Sequence, residues 1–292
     1  MDTPTAEQFE ALSGAFERYR SEFWNRVYTL DHPDKNAYTS PELAALASKL
    51  NDAHRDSFDA SLHQASADTY NWLHSTPAFQ VATKSLPIRA TEGFADFFER
   101  QLIQYYQREN GRQRTLWPRL INGSGLYLDY ISGVALACHN YLTGKSVRAA
   151  LSGAETIARM NRLVDELTQL SASDWIDAND QGSLFGHITR VGNKINDIAS
   201  NRRPSSKRND PDLATRLMAG ELIRLHCYHF DGPHKRAVFQ LMGLPFIDKP
   251  LEMRTIERLI KAKKKPSHAQ VDRVTKSDIS DELLTTEEEP QG

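Results

Sequence analysis

The chain is poor in cysteine and has no apolar run long enough to cross a bilayer. Its 292 residues include two cysteines, Cys138 and Cys227, and neither belongs to a Cys-x-x-Cys pair. This usage argues against a disulfide framework and a structural zinc site, and it fits a reducing compartment. The most apolar stretch, 127–142, contains polar residues and is shorter than a membrane span. Since the first residues do not resemble a secretory signal, we expect a cytoplasmic protein without membrane insertion.

Common signatures of catalysis and cofactor binding are also missing. The chain contains no His-Glu-x-x-His zinc motif, no Gly-x-Ser-x-Gly nucleophile elbow and no complete phosphate-binding loop. Gly144-Lys145-Ser146 matches the end of such a loop, but it lacks the earlier glycine and joins two predicted helices. The sequence therefore predicts no cofactor and no metal, and it favours a non-enzymatic protein.

What the chain does have is helical periodicity. Apolar residues recur every three or four positions from Phe9 to Leu30 and again from Phe94 to Tyr106, which predicts two long helices. Between them, Ser40-Pro41-Glu42 is a typical helix start, and that helix is expected to continue to about Trp72. Because few segments alternate strictly between apolar and polar residues, we predict an all-α fold, a multi-helix bundle with a smaller C-terminal helical module.

The second half of the chain continues in the same way. Helices are predicted at about 126–143 and 146–170, with a hinge at Gly144, and Pro118 with the run 122–125 is expected to form a loop. Further helices are predicted around 188–198, 212–229 and 250–264. The residues that we expect to be buried are Phe16, Phe23, Phe97, Ile131, Cys138, Leu163 and Ile188.

Charge is distributed unevenly along a chain whose net charge is −2. Residues 1–201 carry 19 Lys and Arg against 24 Asp and Glu, residues 202–265 carry 15 against 7, and residues 266–292 carry 2 against 7. Segment 202–211 is polar and basic and contains two prolines, which is typical of a linker. We therefore predict a helical bundle at 1–201, a linker at 202–211, a basic helical module at 212–265 and a disordered acidic tail at 266–292.

The predicted helix at 250–264 carries a basic stripe. Arg254, Arg258, Lys261 and Lys265 are spaced by four, three and four residues, so they share one side of the helix. Such a stripe can neutralise several phosphates of a polyanion. An acidic protein, an anionic membrane surface and plain solvent are the alternatives. The predicted polyanion-binding residues are Arg254, Arg258, Lys261, Lys263, Lys264 and Lys265.

Three histidines, His226, His229 and His234, lie within nine residues of one another. Imidazole is a ligand for zinc and other transition metals, so a metal site is one interpretation. However, the spacing matches no known metal motif, and a glycine and a proline separate His234 from the other two. We favour histidines that are packed and hydrogen bonded.

Arg224 and His229 form an Arg-x4-His pattern. The pattern resembles the catalytic motif of the HEPN ribonucleases, all-helical domains that cleave RNA without a metal and usually act as dimers. The resemblance implies that His229 would move the proton of the 2′-hydroxyl and that Arg224 would stabilise phosphate charge. It covers six residues, and Leu225 stands where that family often has a polar side chain.

Three functional hypotheses follow from these features. In the leading one, the chain is a non-enzymatic binding or adaptor protein, whose body docks a protein partner and whose 202–265 region contacts a polyanion, with nucleic acid as one candidate. In the second, it is a metal-independent ribonuclease that uses Arg224 and His229. In the third, it is a structural subunit of a larger protein assembly or oligomer.

Overall fold

We describe a computed structural model of the chain over residues 2–30, 40–87, 94–107, 113–173, 176–201 and 210–264. In these ranges the chain forms helices and no strand, which confirms the all-α fold class. Within the same ranges, no helix is both long and apolar enough to cross a membrane. The predicted acidic tail lies outside the described residues, and so does most of the predicted linker.

Thirteen helices follow one another along the described residues. Their bounds are α1 Ala6–Ser13, α2 Ala15–Tyr28, α3 Ser40–Ser61, α4 Gln64–Ser75, α5 Pro77–Lys84, α6 Phe94–Gln107, α7 Gln113–Ser124, α8 Leu126–Leu142, α9 Lys145–Ser171, α10 Ala178–Asn201, α11 Leu213–Phe230, α12 Lys235–Leu241 and α13 Met253–Lys264.

Helix α8 lies at the centre of the fold. Its sequence is apolar on nearly every side, and such a helix is stable only when other helices surround it. Helices α1, α2 and α11 pack around α8, while α3 packs against α2 and α6. Residues such as Leu128, Ile131 and Val134 are consequently fully buried.

The predicted first helix is interrupted at Gly14, where α1 ends and α2 begins. The hydroxyl of Ser132, on α8, accepts a hydrogen bond from the Phe16 N–H at 3.1 Å and lies 3.4 Å from the Leu12 carbonyl. A side chain that inserts between two backbone partners of a helix bends it. The packing of α8 against this segment therefore explains a break that periodicity could not indicate.

Two other helix boundaries also differ from the prediction. Helix α3 ends at Ser61, well before Trp72, and the Ser61 carbonyl accepts a hydrogen bond from Arg18 Nε at 3.0 Å. The expected loop around Pro118 and 122–125 is wrong, because α7 continues through Pro118 to Ser124. Gly125, which follows α7, allows the chain to pack closely against α2, because an added Cβ would lie 2.6 Å from the buried rings of Phe16 and Tyr19.

Helices α11, α12 and α13 pack against the rest of the bundle. Helix α11 lies against α8, α12 against α5, and α13 against α11 and α12. Their buried residues, among them Leu222, Val238 and Ile256, belong to the same apolar cluster as those of α1 to α8. We call α1 to α8 and α11 to α13 together the body. Whether residues 212–265 also fold alone stays a prediction.

Helices α9 and α10 form an antiparallel hairpin, which we call the arm. Helix α10 packs mainly against α9, and α9 meets α8 and α11 near its beginning. Of the described residues of the arm, none belongs to the apolar cluster of the body. At about 1.5 Å per residue, the 27 residues of α9 extend for about 40 Å.

Of the seven residues predicted to be buried, four are buried, two are half-buried and one is exposed. Phe16, Phe23, Ile131 and Cys138 are buried as expected, and Phe97 packs half-buried against the core. On the arm, Ile188 is half-buried, whereas Leu163 is 48% exposed. The prediction for Leu163 is wrong because, among the described helices, only α10 runs beside this part of α9.

Candidate interaction sites

The arm is held together by one seam of side chains. On α9, Ile157 and Val164 are half-buried, and on α10, Ile188 is half-buried and Ile195 is buried. Gly192 lies so close to α9 that an added Cβ would be 3.4 Å from Val164 Cγ1. The seam therefore uses one narrow side of each helix and leaves their flanks open.

One flank of the arm carries a row of exposed apolar side chains, which we call the apolar face. On α9 these residues are spaced by three, four and three, as in the contact seam of a coiled coil. Between 42% and 64% of each residue is exposed. The apolar face consists of Met160, Leu163, Leu167 and Leu170 on α9 and Leu184 and Val191 on α10.

Helix geometry places these six residues on the same side of the hairpin. Successive residues of an α-helix are about 100° apart. On α9, a rotation about the helix axis in the negative direction from the seam residue Val164 reaches the residues of the apolar face. On α10, a rotation in the same direction from the seam residue Ile188 reaches Leu184 and Val191. In antiparallel helices that share a seam, flanks of equal sign lie on the same side of the pair. Phe185, which is 56% exposed, falls on the opposite side.

The root of the arm is anchored to the body by polar contacts. Gly144, between α8 and α9, has a φ of 66°, a conformation that favours glycine. The Glu221 carboxylate on α11 accepts a hydrogen bond from the Ser146 hydroxyl and another, at 3.1 Å, from Asn140 Nδ2. Arg148 donates to the Thr143 carbonyl at 2.7 Å. These contacts fix where the arm leaves the body.

Helix α13 docks on the body through its apolar side and leaves basic residues exposed. Ile256 is completely buried, whereas Arg254, Arg258 and Lys261 are exposed. Lys263 and Lys264 belong to the helix, although their side chains are not described. The sixth predicted residue, Lys265, lies outside the described residues. The three described cations therefore share the outer side of α13, as the spacing suggested.

Two other basic residues of the 202–265 region, Arg216 and Lys235, are engaged in ion pairs. Lys235 Nζ lies 2.6 Å from Glu257 Oε1 on α13, and this hydrogen bond lowers the pKa of the Glu257 carboxyl. Arg216 pairs with Asp210. Pairing of this kind reduces the excess positive charge that the region offers to a polyanion.

His226 is a packed histidine with two protein partners. Its Nδ1 lies 3.3 Å from the Pro233 carbonyl and its Nε2 lies 3.1 Å from the Tyr130 hydroxyl. Because a carbonyl can only accept, Nδ1 carries the proton and Nε2 accepts from Tyr130. Burial lowers the pKa of His226 to about 4. Both ring nitrogens are thus engaged in hydrogen bonds with protein groups.

Arg224 and His229 leave α11 in different directions, about 140° apart at five residues' separation. Arg224 is exposed, whereas the His229 side chain is only 3% exposed, and its Nε2 lies 3.9 Å from Asp129 Oδ2. Burial raises the pKa of Asp129 to about 6 and lowers that of His229. This arrangement does not present both side chains to one phosphate.

Metal binding finds no support in the part of the chain that the structure describes. There, no three His, Cys, Asp or Glu side chains are grouped so that they could hold a metal ion. His226 and His234 are close, with ring centroids 6.0 Å apart, but His234 Nε2 lies 3.4 Å from the Phe230 carbonyl. The histidines of this turn therefore contact one another and the backbone.

Comparisons with known proteins do not assign this chain to a family: no family model matches it, and no curated protein or solved structure is significantly similar to it.

The apolar face is the feature that sequence reasoning missed. Its signal was present, since Met160, Leu163, Leu167 and Leu170 repeat with the spacing of a coiled-coil seam. The same spacing is also expected of a helix buried in a bundle. Only the structure distinguishes the two cases, because it shows that the body does not cover this side of α9.

Proposed function

We propose that this chain is a non-enzymatic interaction protein, an adaptor whose body holds the arm out to a protein partner. The observation that carries the proposal is the apolar face of the arm. Soluble proteins rarely expose contiguous apolar patches larger than a few hundred Å², and larger ones commonly mark binding sites. A helix with an uncovered coiled-coil seam is well suited to bind one or two further helices.

The dimensions of the arm fit a specific interface. Two helices, each about 10 Å across and about 40 Å long, present a side of about 800 Å². A standard protein interface buries about 800 Å² on each partner. Because Glu221 and its partners hold the root of the arm in place, a bound protein would also have a defined position relative to the body.

Site-specific photo-cross-linking tests the docking role. A photoreactive benzoylphenylalanine would replace Leu163 on the apolar face or Glu155 on the polar back of α9, and irradiation would follow in native extract. We expect protein adducts at position 163 that disappear when Leu167 and Leu170 are changed to serine, and none at position 155. Equal adducts at both positions, or none at 163, would contradict docking at this face.

A second contact, with a polyanion, is supported by the exposed basic stripe of α13. Arg254, Arg258 and Lys261 lie side by side while Ile256 anchors the helix. Nucleic acid is the polyanion that we propose, because its regularly spaced phosphates match cations repeated along one side of a helix. In the proposed adaptor, the arm binds protein and α13 binds nucleic acid.

The polyanion contact is tested by RNA and DNA binding across a salt series. The triple variant R254Q/R258Q/K261Q should bind at least about tenfold more weakly, with a shallower salt dependence, because up to three phosphate contacts are lost. The matched control K49Q/K84Q/R119Q removes the same charge from exposed positions elsewhere and should bind like the unchanged protein. Equal losses in both variants would indicate a general charge effect rather than a site on α13.

The ribonuclease hypothesis receives less support from the geometry. His229 would need contact with a 2′-hydroxyl, yet its side chain is almost fully enclosed beside Asp129. The same salt series, analysed for intact RNA in the presence of chelator, tests the hypothesis directly. Cleavage that His229→Ala abolishes without loss of helicity would favour the enzyme over the adaptor.

A further inference from the structure

We infer that the occupant of the apolar face is a second copy of this chain, bound so that the two arms run antiparallel in a four-helix bundle. The inference rests on the proposed function, because it names the partner of the same docking face. The distribution of charge along the arm and the symmetry of its charged rim both favour a second copy.

The arm has an acidic end and a basic end. Its outer part, residues 165–180, carries five acidic residues and no basic one. Its inner parts, residues 145–162 and 190–197, together carry six basic residues and two acidic ones. Parallel arms would place the two acidic ends together, whereas antiparallel arms place each acidic end over a basic one. Opposite charges across an interface favour one orientation over the other.

The same complementarity holds at the rim of the apolar face. On α10, Asp180 lies seven residues before position 187 and Lys194 lies seven residues after it. Both are on the flank of α10 that belongs to the apolar face. A two-fold axis that crosses α10 near position 187 therefore brings Asp180 of each copy close to Lys194 of the other. All of these side chains are exposed, and Lys194 also lies 3.7 Å from Asp197 of the same helix.

Helix α9 repeats the pattern. Arg159 and Glu166 flank the apolar row on the outer edge of α9, and both are exposed. Their midpoint lies between 162 and 163, close to the middle of the apolar row. A two-fold axis that crosses α9 at this level would bring Glu166 of one copy near Arg159 of the other. Self-complementarity of this kind is what a two-fold interface requires of a single surface.

The chain's own acidic tail is a weaker candidate for the same face. Residues 266–292 contain Ile279, Leu283 and Leu284, but they carry seven acidic residues against two basic ones. Laid on the arm, the tail would bring further negative charge to an outer end that is already acidic. A second copy has no such conflict, because the described ends of the arm carry opposite charge.

The first test is the mass of the purified full chain, measured by sedimentation over a range of concentrations. The chain has a mass of 33.1 kDa, and we expect a dimer of twice that mass. The variant L163S/L167S should weaken dimerisation at least about 100-fold, since two central contacts of the face are lost. The control L151S/F185S changes two comparably exposed apolar residues off the apolar face and should leave the dimer intact.

The second test reverses charge and reports the orientation of the arms. Asp180→Lys alone and Lys194→Asp alone should each weaken the dimer several-fold, because each places like charges together twice. The double variant D180K/K194D should regain most of the affinity, because the exchanged charges face each other again. Circular dichroism would confirm that every variant keeps its helicity.

Each result bears on the inference. A monomer at all concentrations, or a dimer that L163S/L167S does not weaken, would overturn it, and a double variant weaker than both single ones would overturn the antiparallel arrangement. If the purified chain is monomeric but position 163 cross-links to a different protein in extract, the second copy is wrong and the docking function survives. A monomer without cross-links at position 163 would contradict both.

Discussion

Helices α8 and α9 are neighbours in the chain, separated by Gly144, and both have apolar rows, yet their surroundings differ completely. Ten of the 17 residues of α8 are buried, whereas among the described residues of α9 only Ser171 is. Within the described residues, other helices cover most of α8, whereas α10 is the one helix that packs along most of α9. The comparison shows that apolar periodicity indicates a surface on which a helix can pack. Burial of that surface depends on whether other helices of the same chain reach it.

The two regions also treat polar groups differently. In the body, Tyr19 joins His54 and Ser124 through buried hydrogen bonds of 2.8 and 2.7 Å, and aromatic rings enclose them. Buried polar groups need such partners because an unpaired one loses its hydration without compensation. On the arm, charged pairs such as Lys194 with Asp197 are exposed and add little stability. Stability of the fold therefore depends mainly on the body.

The largest effect is expected from removing an aromatic ring of the body. Phe98→Ala should lower the free energy of unfolding by about 3–5 kcal/mol, because the ring is fully buried among Phe23, Phe94 and His54. The same change on the arm, Phe185→Ala, should cost less than about 1 kcal/mol, since the ring is largely exposed. Chemical denaturation of both variants measures the difference, and similar losses would contradict the contrast between the regions.

The next effect concerns acid stability. Burial lowers the pKa of His226 to about 4, so the folded chain binds fewer protons than the unfolded chain between that pH and about 6.5. The stability associated with neutral His226 is complete above pH 6.5 and is lost as the pH falls towards 4.

Substitution of His226 by glutamine should therefore flatten the pH dependence of unfolding. We expect the unchanged protein to lose about 2–3 kcal/mol more than His226→Gln between pH 7 and pH 4. His187→Gln on the arm removes an exposed histidine and serves as the control. Denaturation series at several pH values measure the slopes. If His226→Gln leaves the pH dependence of the free energy of unfolding unchanged, or if His187→Gln changes it equally, His226 is not the cause of the acid sensitivity.

The helical fold could be predicted from sequence because the apolar spacing and the capping residues are local signals. The start of α3 at Ser40 and the break at Gly144 are of this kind. The break between α1 and α2 could not be predicted, since it depends on the hydroxyl of Ser132, more than a hundred residues away. Glycines and a proline near 118–125 suggested a loop. The segment is instead helical, and its glycines allow close contacts with neighbouring helices.

The candidate sites divide in the same way. The basic stripe on α13 could be predicted from the sequence because its spacing is periodic. In the structure, Arg254, Arg258 and Lys261 share the exposed side of the helix. The wrong prediction for Leu163 has the opposite cause. Periodicity correctly indicated an apolar side of α9, but burial depends on which other helices reach that side, and no local signal contains this information.

A smaller loss of stability is expected when a Cβ is added to a glycine of the body. At Gly125 the added atom would lie 2.6 Å from Phe16 Cε2 and Tyr19 Cε1 and 3.0 Å from the Ile121 carbonyl oxygen. Both rings are tightly packed, so Gly125→Ala should destabilise the fold by about 1–3 kcal/mol through overpacking. Thermal unfolding would measure the loss. An unchanged or higher melting temperature would mean that the rings can move aside.

The smallest effect should have the opposite sign. Gly186 lies inside α10, and a Cβ added there would meet nothing within 4 Å. Alanine is favoured over glycine in a helix interior by about 0.5–1 kcal/mol, because glycine loses more backbone freedom on folding. Since Gly186 points away from both the seam and the apolar face, Gly186→Ala should stabilise the arm without changing dimerisation.

Amide hydrogen exchange can locate this gain within the molecule. If the arm opens independently of the body, exchange along α10 should slow by about two- to fivefold in Gly186→Ala, while amides of α8 keep their rates. If arm and body open together, the slowest amides of both regions should slow equally. Faster exchange along α10 would show that the glycine is needed at this position, and it would contradict an open outer side of the arm. The same substitution at Gly125 and Gly186 thus distinguishes a packed region from an open one by the sign of its effect.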